Sequence, residues 1–169
     1  MKKALALLLA TLLCLCSVAA LAEDAVEVPV VEDGTWVPFA DYNVQICLPS
    51  DWNVLEITEE QTASGIIFST ANPEMTRSFT LAYNELEAAS DIATIGEQLA
   101  ANEAMSDVQI LNINGMDYVT YTIAENDVVG LVTLGGSGIG LYQFVFYPAS
   151  DADYASLALQ IAASISTIE

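Results

Sequence analysis

Apolar and polar side chains alternate along several stretches of the chain, and this alternation is its clearest pattern. Residues 42–48, 79–83 and 116–124 each place their larger apolar side chains on one side, which predicts strands with one buried face. Residues 128–134 and 141–147 are apolar on both sides, which is typical of strands in a sheet covered on both faces. Three shorter strands are predicted at residues 36–39, 52–57 and 65–69.

Turn residues separate the later strands. Asn114-Gly115 is a strong signal for a hairpin, because both residues tolerate the left-handed backbone that a tight turn requires. Residues 135–138 read Gly-Gly-Ser-Gly and predict a flexible loop. This loop lacks the following lysine and helix of a phosphate-binding loop, so we interpret it as a hairpin connection. The sequence therefore predicts an antiparallel meander over residues 108–149.

Two segments have helical spacing. Ser90 or Asp91 can cap a helix that begins at Ile92. The second helix follows Ser150, which we predict to be its N-cap, with Asp153 at the third helical position as in a capping box. Its apolar residues form one stripe that would pack on a sheet. The residues of this stripe are Tyr154, Leu157, Ile161, Ile165 and Ile168.

Roughly eight strands and two helices predict an α+β fold. We expect a mostly antiparallel β-sheet covered by helices on both faces, an α/β/α sandwich, with the C-terminal amphipathic helix packed on the sheet. Residues 35–169 would form a single domain. Residues 23–34 are acidic, contain proline and show little periodicity, which predicts a flexible arm before the domain.

The first 22 residues have the three parts of a secretory signal peptide. Lys2 and Lys3 precede an apolar stretch over residues 4–18, and Ala20-Leu21-Ala22 is a cleavage sequence of small residues. The apolar run is nearly long enough for a membrane anchor. The cleavage sequence and the acidic residues after it favour cleavage between Ala22 and Glu23. The protein is then secreted from a bacterium, or periplasmic if there is an outer membrane.

Acidic residues dominate the charge of the chain. The chain has 23 acidic and 3 basic residues, and its net charge is −20. Loss of the two signal-peptide lysines would leave Arg77 as the one basic side chain. A phosphate backbone would be repelled, which excludes nucleic acid as a direct partner, and anionic membranes are disfavoured. The carboxylates are scattered, which favours a solubilising role over capture of Ca²⁺ or a cationic partner.

The composition also removes common catalytic chemistry. The chain has no histidine, so a Ser-His-Asp triad and a His-containing zinc site are impossible. Cys47 is the one cysteine after the signal peptide, and no neighbouring base is available to activate it. We predict that the protein is not an enzyme and assign no catalytic, cofactor-binding or metal-binding residue.

Carboxylate pairs remain as candidates for hydrolysis of sugars, which needs two acids and a raised pKa on one of them. Each pair also has a structural interpretation, as a loop, a strand end or a helix cap. The local pairs are Glu59 with Glu60, Glu85 with Glu87, and Asp151 with Asp153. For calcium, Asp151-Ala152-Asp153 resembles the start of a binding loop but lacks its remaining ligands. A weak calcium site could also involve Glu125, Asn126 and Asp127.

Aromatic residues could line a groove for a sugar or a peptide. Most of them are expected in the sheet and core, and Trp36 and Trp52 are the candidates for an exposed platform because they adjoin loops. The other aromatic candidates are Tyr42, Tyr83, Tyr118 and Tyr142.

The order of elements resembles the PsbP-like α/β/α sandwich. The resemblance rests on Leu48-Pro49-Ser50-Asp51-Trp52, a strand that ends in a proline turn and a tryptophan. It also rests on the strand at residues 142–147, followed by a polar cap and a helix that closes on Ser164-Ile165. It covers residues 36–169 and implies a scaffold without a particular activity.

Members of this family range from photosystem subunits to GTPase-binding proteins and secreted bacterial proteins of unknown role. The plant members are thought to work through basic and histidine-containing surfaces. After the signal peptide this chain offers only Arg77, so no functional residue is carried over.

Three functional hypotheses follow. The first is a secreted, non-catalytic binding or envelope-assembly domain whose partner is a protein, a glycan or a cationic molecule. The second is a carboxylate-only glycan hydrolase, and the third is a weak calcium- or cation-dependent adhesion module. We rank them in this order because the chain lacks the usual pairs of nucleophile and base.

Overall fold

The computed structural model describes residues 25–168. The predicted signal peptide, its cleavage site and Glu169 lie outside these residues. No helix in the described part is long and apolar enough to cross a membrane. Its strands are β1 (Gly34–Phe39), β2 (Val44–Pro49), β3 (Asn53–Val54), β4 (Ile66–Ala71), β5 (Ser78–Glu85), β6 (Ser106–Ile113), β7 (Met116–Ile123), β8 (Val128–Leu134), β9 (Gly140–Tyr147) and β10 (Ser166–Thr167). Its α-helices are α1 (Glu59–Ala63), α2 (Ile92–Ala100) and α3 (Ala152–Ala163).

The strands form two antiparallel sheets. The large sheet has seven strands in the order β3-β4-β5-β9-β8-β7-β6, and the small sheet has three in the order β1-β2-β10. Strands β8 and β9 lie inside the large sheet, as their apolar residues on both sides predict. Strand β1 lies at an edge of the small sheet. Pro38, which has no backbone N–H to donate, is tolerated in such an edge strand.

The large sheet is covered on both faces, which confirms the predicted α+β class. On one face, the C-terminal helix α3 and the small sheet pack against Phe79, Leu81 and Phe144. On the other face, Ile95 of α2 packs against Val119 of β7. The small sheet shares its face with α3, and this feature was not predicted.

Two local predictions around residue 55 were wrong. The strand predicted at residues 52–57 is reduced to the two residues of β3. The polar loop after it contains helix α1, which begins with a complete capping box. The Gln61 backbone N–H donates to Thr58 Oγ1 at 3.2 Å, and the Thr58 N–H donates to Gln61 Oε1 at 2.8 Å. This reciprocal pair stabilises a five-residue helix that has no buried residue.

The predicted cap of the last helix was also wrong by one residue. Asp151 is the N-cap, and its Oδ1 accepts from the backbone N–H groups of Asp153 and Tyr154 at 3.0 and 3.1 Å. Ser150 instead bonds to both carboxylate oxygens of Asp127. The helix ends at Ala163, so the predicted stripe continues past the helix through Ile165 and Ile168. For α2, Asp91 is the cap, one of the two residues predicted.

The described residues before β1, which belong to the segment predicted as a flexible arm, contact the fold. Val26 forms a parallel bridge with Ile113 at the edge of β6. The Asn114 carboxamide accepts from the Val28 N–H at 2.8 Å and donates to the Val28 carbonyl at 2.9 Å. Val31 is buried and belongs to the main core. The described part of this segment therefore covers one end of a sheet edge.

A close contact across β8 places one glycine under an aromatic ring. A Cβ atom on Gly130 would stand 2.1 Å from Cζ of Tyr121. The Tyr121 hydroxyl accepts a hydrogen bond from Nε2 of Gln143 on β9, the strand beyond β8. Tyr121 is buried, so its ring can reach across the middle strand only because Gly130 has no side chain.

Candidate ligand-binding cleft

A cleft of about 380 Å³ lies where the small sheet meets the loop between β8 and β9. Its wall combines tyrosine rings, the glycine-rich loop and the short edge strand β10. The lining residues that bear on function are Tyr42, Tyr83, Glu85, Ser137, Tyr142 and Thr167. A larger depression of about 620 Å³ lies between residues 25–29 and the Asn114-Gly115 turn, but it is lined by only six residues and no aromatic ring.

Three tyrosines from distant parts of the chain meet at this cleft. The ring centroids of Tyr42 and Tyr83 are 4.8 Å apart, and those of Tyr83 and Tyr142 are 5.2 Å apart. The Tyr142 hydroxyl donates to the backbone carbonyl of Tyr42 at 3.0 Å. Burial, together with the neighbouring Tyr83, raises the pKa of Tyr142 above its ordinary value. Tyr142 therefore stays a neutral phenol, while the half-buried Tyr42 and Tyr83 present ring surface to the cleft.

The glycine-rich loop is the hairpin connection predicted between β8 and β9. The Gly135 N–H donates to the Gly140 carbonyl at 2.8 Å, and the Ser90 N–H holds the loop by donating to the Gly138 carbonyl at 2.8 Å. A Cβ on Gly140 would lie 3.0 Å from Cε2 of Tyr83. Gly140 therefore lets the Tyr83 ring lie directly against the start of β9.

The only basic side chain in the described residues is held away from the cleft lining. The Arg77 guanidinium lies 2.6 Å (Nη2) and 2.7 Å (Nε) from Oδ2 of Asp151, and its Cζ is 5.6 Å from the ring centroid of Tyr154. Glu85 is the one charged residue among the described residues that line the cleft. The cleft therefore presents neutral aromatic rings and one carboxylate.

Two of the three carboxylate pairs considered for hydrolysis lie at helix starts, whereas Glu85 of the third pair lines the cleft and its partner Glu87 does not. Glu59 and Glu60 are exposed in the first turn of α1. Partial burial alone would raise the pKa of Asp151, but Arg77 and the backbone N–H groups at the helix start together lower it. The pKa of Asp91 is also lowered, chiefly by its cap hydrogen bonds to Thr94. A general acid would need the opposite shift.

The proposed calcium turn is occupied by protein contacts. Asp127 Oδ1 accepts from the Ser150 N–H at 2.8 Å, and Asp127 Oδ2 accepts from the Ser150 hydroxyl at 2.7 Å. Asp127 therefore holds the loop before α3. In residues 25–168, no group of three or more acidic, cysteine or histidine side chains is arranged to hold a metal.

The tryptophan candidates and the free cysteine do not line this cleft. Trp36 is 44% exposed on the edge strand β1, whereas Trp52 packs against Tyr154 with ring centroids 5.9 Å apart. Cys47 is only 2% exposed, and burial raises the pKa of its thiol. The cleft tyrosines were each named from the sequence, but their meeting point depends on long-range strand pairing.

Comparison with known proteins supports the fold. The solution structure of cyanobacterial PsbP (CyanoP) from Synechocystis sp. PCC 6803 aligns with a TM-score of 0.59 at 14% identity, over 92% of this chain and 99% of that chain. A crystal structure from Bacteroides thetaiotaomicron VPI-5482 aligns with a TM-score of 0.48 at 20% identity, over 75% of this chain and 46% of that chain. No family model and no curated protein matches the chain. The likeness to CyanoP confirms the predicted PsbP-like fold.

Proposed function

We propose that this chain is a secreted, non-catalytic binding domain and that the tyrosine-lined cleft is its ligand site. The observation that carries this proposal is the meeting of Tyr42, Tyr83 and Tyr142 at one cleft. Aromatic rings with exposed faces contribute much of the binding energy in recognition of sugars, peptides and cations. The partner would be a protein, a glycan or a cationic molecule.

The sequence supports export. The signal peptide over residues 1–22 would be removed between Ala22 and Glu23, leaving a chain with one basic side chain. The many carboxylates would keep the released protein soluble. N-terminal sequencing of protein recovered from culture medium tests this step, and the expected sequence starts at Glu23.

The chemistry of the cleft favours binding over catalysis. Glu85 is the one carboxylate among its described lining residues, whereas hydrolysis of a glycosidic bond uses two. Cys47 is buried in the core and the chain has no histidine. These features support a site that holds a ligand without transforming it.

The test is binding of the secreted protein to glycan and peptide arrays, repeated with Tyr83→Ala. Tyr147 is 46% exposed on β9 but does not line the cleft, so Tyr147→Ala is the matched control. We expect a ligand whose affinity falls about tenfold or more in Tyr83→Ala, as for a central binding residue, and by less than about twofold in the control. Equal losses in both variants would place binding elsewhere. Release of a product that Glu85→Gln abolishes would show an enzyme.

A further inference from the structure

We propose that the tyrosine-lined cleft binds the cationic side chain of a basic polypeptide, a lysine ammonium or an arginine guanidinium group. This inference rests on the proposed function, because it names the ligand class of the same site. Two separate properties of the cleft lead to it: the sign of its charge and the nature of its wall.

The charge at the cleft has one sign. Glu85 is exposed at the end of β5 and lines the cleft, and no basic residue is present among the described lining residues. Arg77 is paired with Asp151, so it is engaged elsewhere. An anionic ligand would therefore meet no compensating charge. A cation would gain Glu85 as a partner and would be attracted over a longer range by the net charge of −20.

The wall of the cleft is suited to an organic cation. Tyr42 and Tyr83 are half-buried, with centroids 4.8 Å apart, and the buried Tyr142 packs against Tyr83 and donates to the Tyr42 carbonyl. The negative faces of such rings attract ammonium and guanidinium groups. Their faces also accommodate the apolar stem of lysine or arginine. A small hydrated metal ion would make no use of these rings, which is why we infer a side chain.

The experiment compares three peptides with identical spacing: acetyl-(Gly-Lys)₄-amide, acetyl-(Gly-Arg)₄-amide and acetyl-(Gly-Gln)₄-amide. Binding to the secreted protein is followed by chemical-shift changes at physiological ionic strength. We expect saturable binding of the lysine or arginine peptide, with shifts in the cleft residues. The glutamine peptide should not bind. Spermidine as a further ligand distinguishes a small polyamine from a polypeptide.

Glu85→Gln and Glu97→Gln each remove one negative charge, and Glu97 is exposed on α2 outside the cleft lining. Affinity should fall about threefold to fivefold in Glu85→Gln, as for an exposed ion pair, and less than about twofold in Glu97→Gln. Tyr83→Ala should weaken binding further, and melting curves verify that each variant is folded.

Equal losses in the two glutamine variants would show general attraction to an acidic surface and overturn the inference. Equal binding of the glutamine peptide, or tighter binding of spermidine than of either basic peptide, would also overturn it. If a neutral glycan binds in a Tyr83-dependent way while the basic peptides do not, this inference fails and the proposed function stands. If nothing binds at the cleft, both fail.

Discussion

Replacing Gly130 by alanine should destabilise the protein through one identifiable clash. The new Cβ would stand 2.1 Å from Cζ and 2.3 Å from the hydroxyl oxygen of Tyr121. Carbon atoms in contact prefer about 3.5–4.0 Å, so the buried ring would have to retreat by roughly 1.5 Å. That movement would also strain or break the hydrogen bond between Tyr121 and Gln143.

The expected loss of stability in Gly130→Ala is the sum of three contributions. Overpacking costs about 1–3 kcal/mol and the lost hydrogen bond about 1 kcal/mol. The replacement of a strand glycine by alanine returns about 0.5–1 kcal/mol. We therefore expect a loss of about 1–3.5 kcal/mol in the free energy of unfolding, or about 2–14 °C in melting temperature.

Urea denaturation followed by tryptophan fluorescence measures this loss. Gly136→Ala is the control, because a Cβ at that loop position would meet no atom within 4 Å. In a Tyr121→Leu background, where the ring is absent, Gly130→Ala should cost less than about 1 kcal/mol. Wild-type stability of Gly130→Ala, or an unchanged cost in the Tyr121→Leu background, would refute the reasoning.

Three further predictions concern contacts that hold the ends of the fold. Asp151→Asn retains a helix cap but loses the ion pair with Arg77. Because folding lowers the pKa of Asp151, the stability that its carboxylate adds is present above the unfolded pKa of about 3.9 and is lost as the pH falls through the folded pKa. The difference in melting temperature between wild type and Asp151→Asn should therefore be smaller at pH 2 than at pH 7. An equal difference at both pH values would contradict this. Ser164→Ala leaves the buried N–H of Cys47 without its 2.9 Å partner and should cost about 1–3 kcal/mol in urea denaturation, with a loss under about 0.5 kcal/mol as the contrary result. Asn114→Gly keeps the left-handed turn but removes the side chain that bonds to the backbone of residue 28. Hydrogen exchange at residues 26–28 should therefore accelerate, while the global stability changes little. Unchanged exchange would show that the bridge between Val26 and Ile113 alone holds the segment.

Local periodicity predicted the meander because the face that a strand residue occupies depends only on its position relative to its neighbours in the sequence. Val119 and Tyr121 face α2, whereas Tyr118, directly before Val119, faces the other core and donates to the Ala162 carbonyl at 2.9 Å. Because successive side chains in a strand point to opposite faces, the two-residue period of the sequence is sufficient to assign each residue to its face. Apolar residues on both sides of β8 and β9 predicted that these two strands lie inside the sheet.

Competition between residues explains the incorrect helix cap. Ser150 and Asp151 are both good caps, so local preference does not separate them. Asp127, which lies 23 residues before Ser150, accepts hydrogen bonds from the Ser150 hydroxyl and N–H. Arg77 forms an ion pair with Asp151 at the helix start. The choice is therefore made by tertiary contacts.

Long-range pairing explains why the cleft could not be located in advance. Strand β10 pairs with β2 through Gln45 and Ser166, which are 121 residues apart, and two residues are too few to produce a periodic signal. Tyr42, Tyr83 and Tyr142 could be named as aromatic candidates from the sequence. Only the pairing of β5 with β9, and the packing of the turn between β1 and β2 that carries Tyr42, brings their rings together.

The pairing of Arg77 with Asp151 has a consequence for protease resistance. In the described residues, Arg77 provides the one peptide bond that a trypsin-like protease can cleave. Its backbone N–H donates to Asn72 Oδ1 at 2.8 Å, its carbonyl accepts from the Asn72 N–H at 3.0 Å, and its side chain is held by the ion pair. Such a protease needs an extended, accessible arginine, so cleavage at this bond reports opening of the fold. In surroundings rich in trypsin-like enzymes, the lifetime of the protein would follow how often the start of β5 separates from α3.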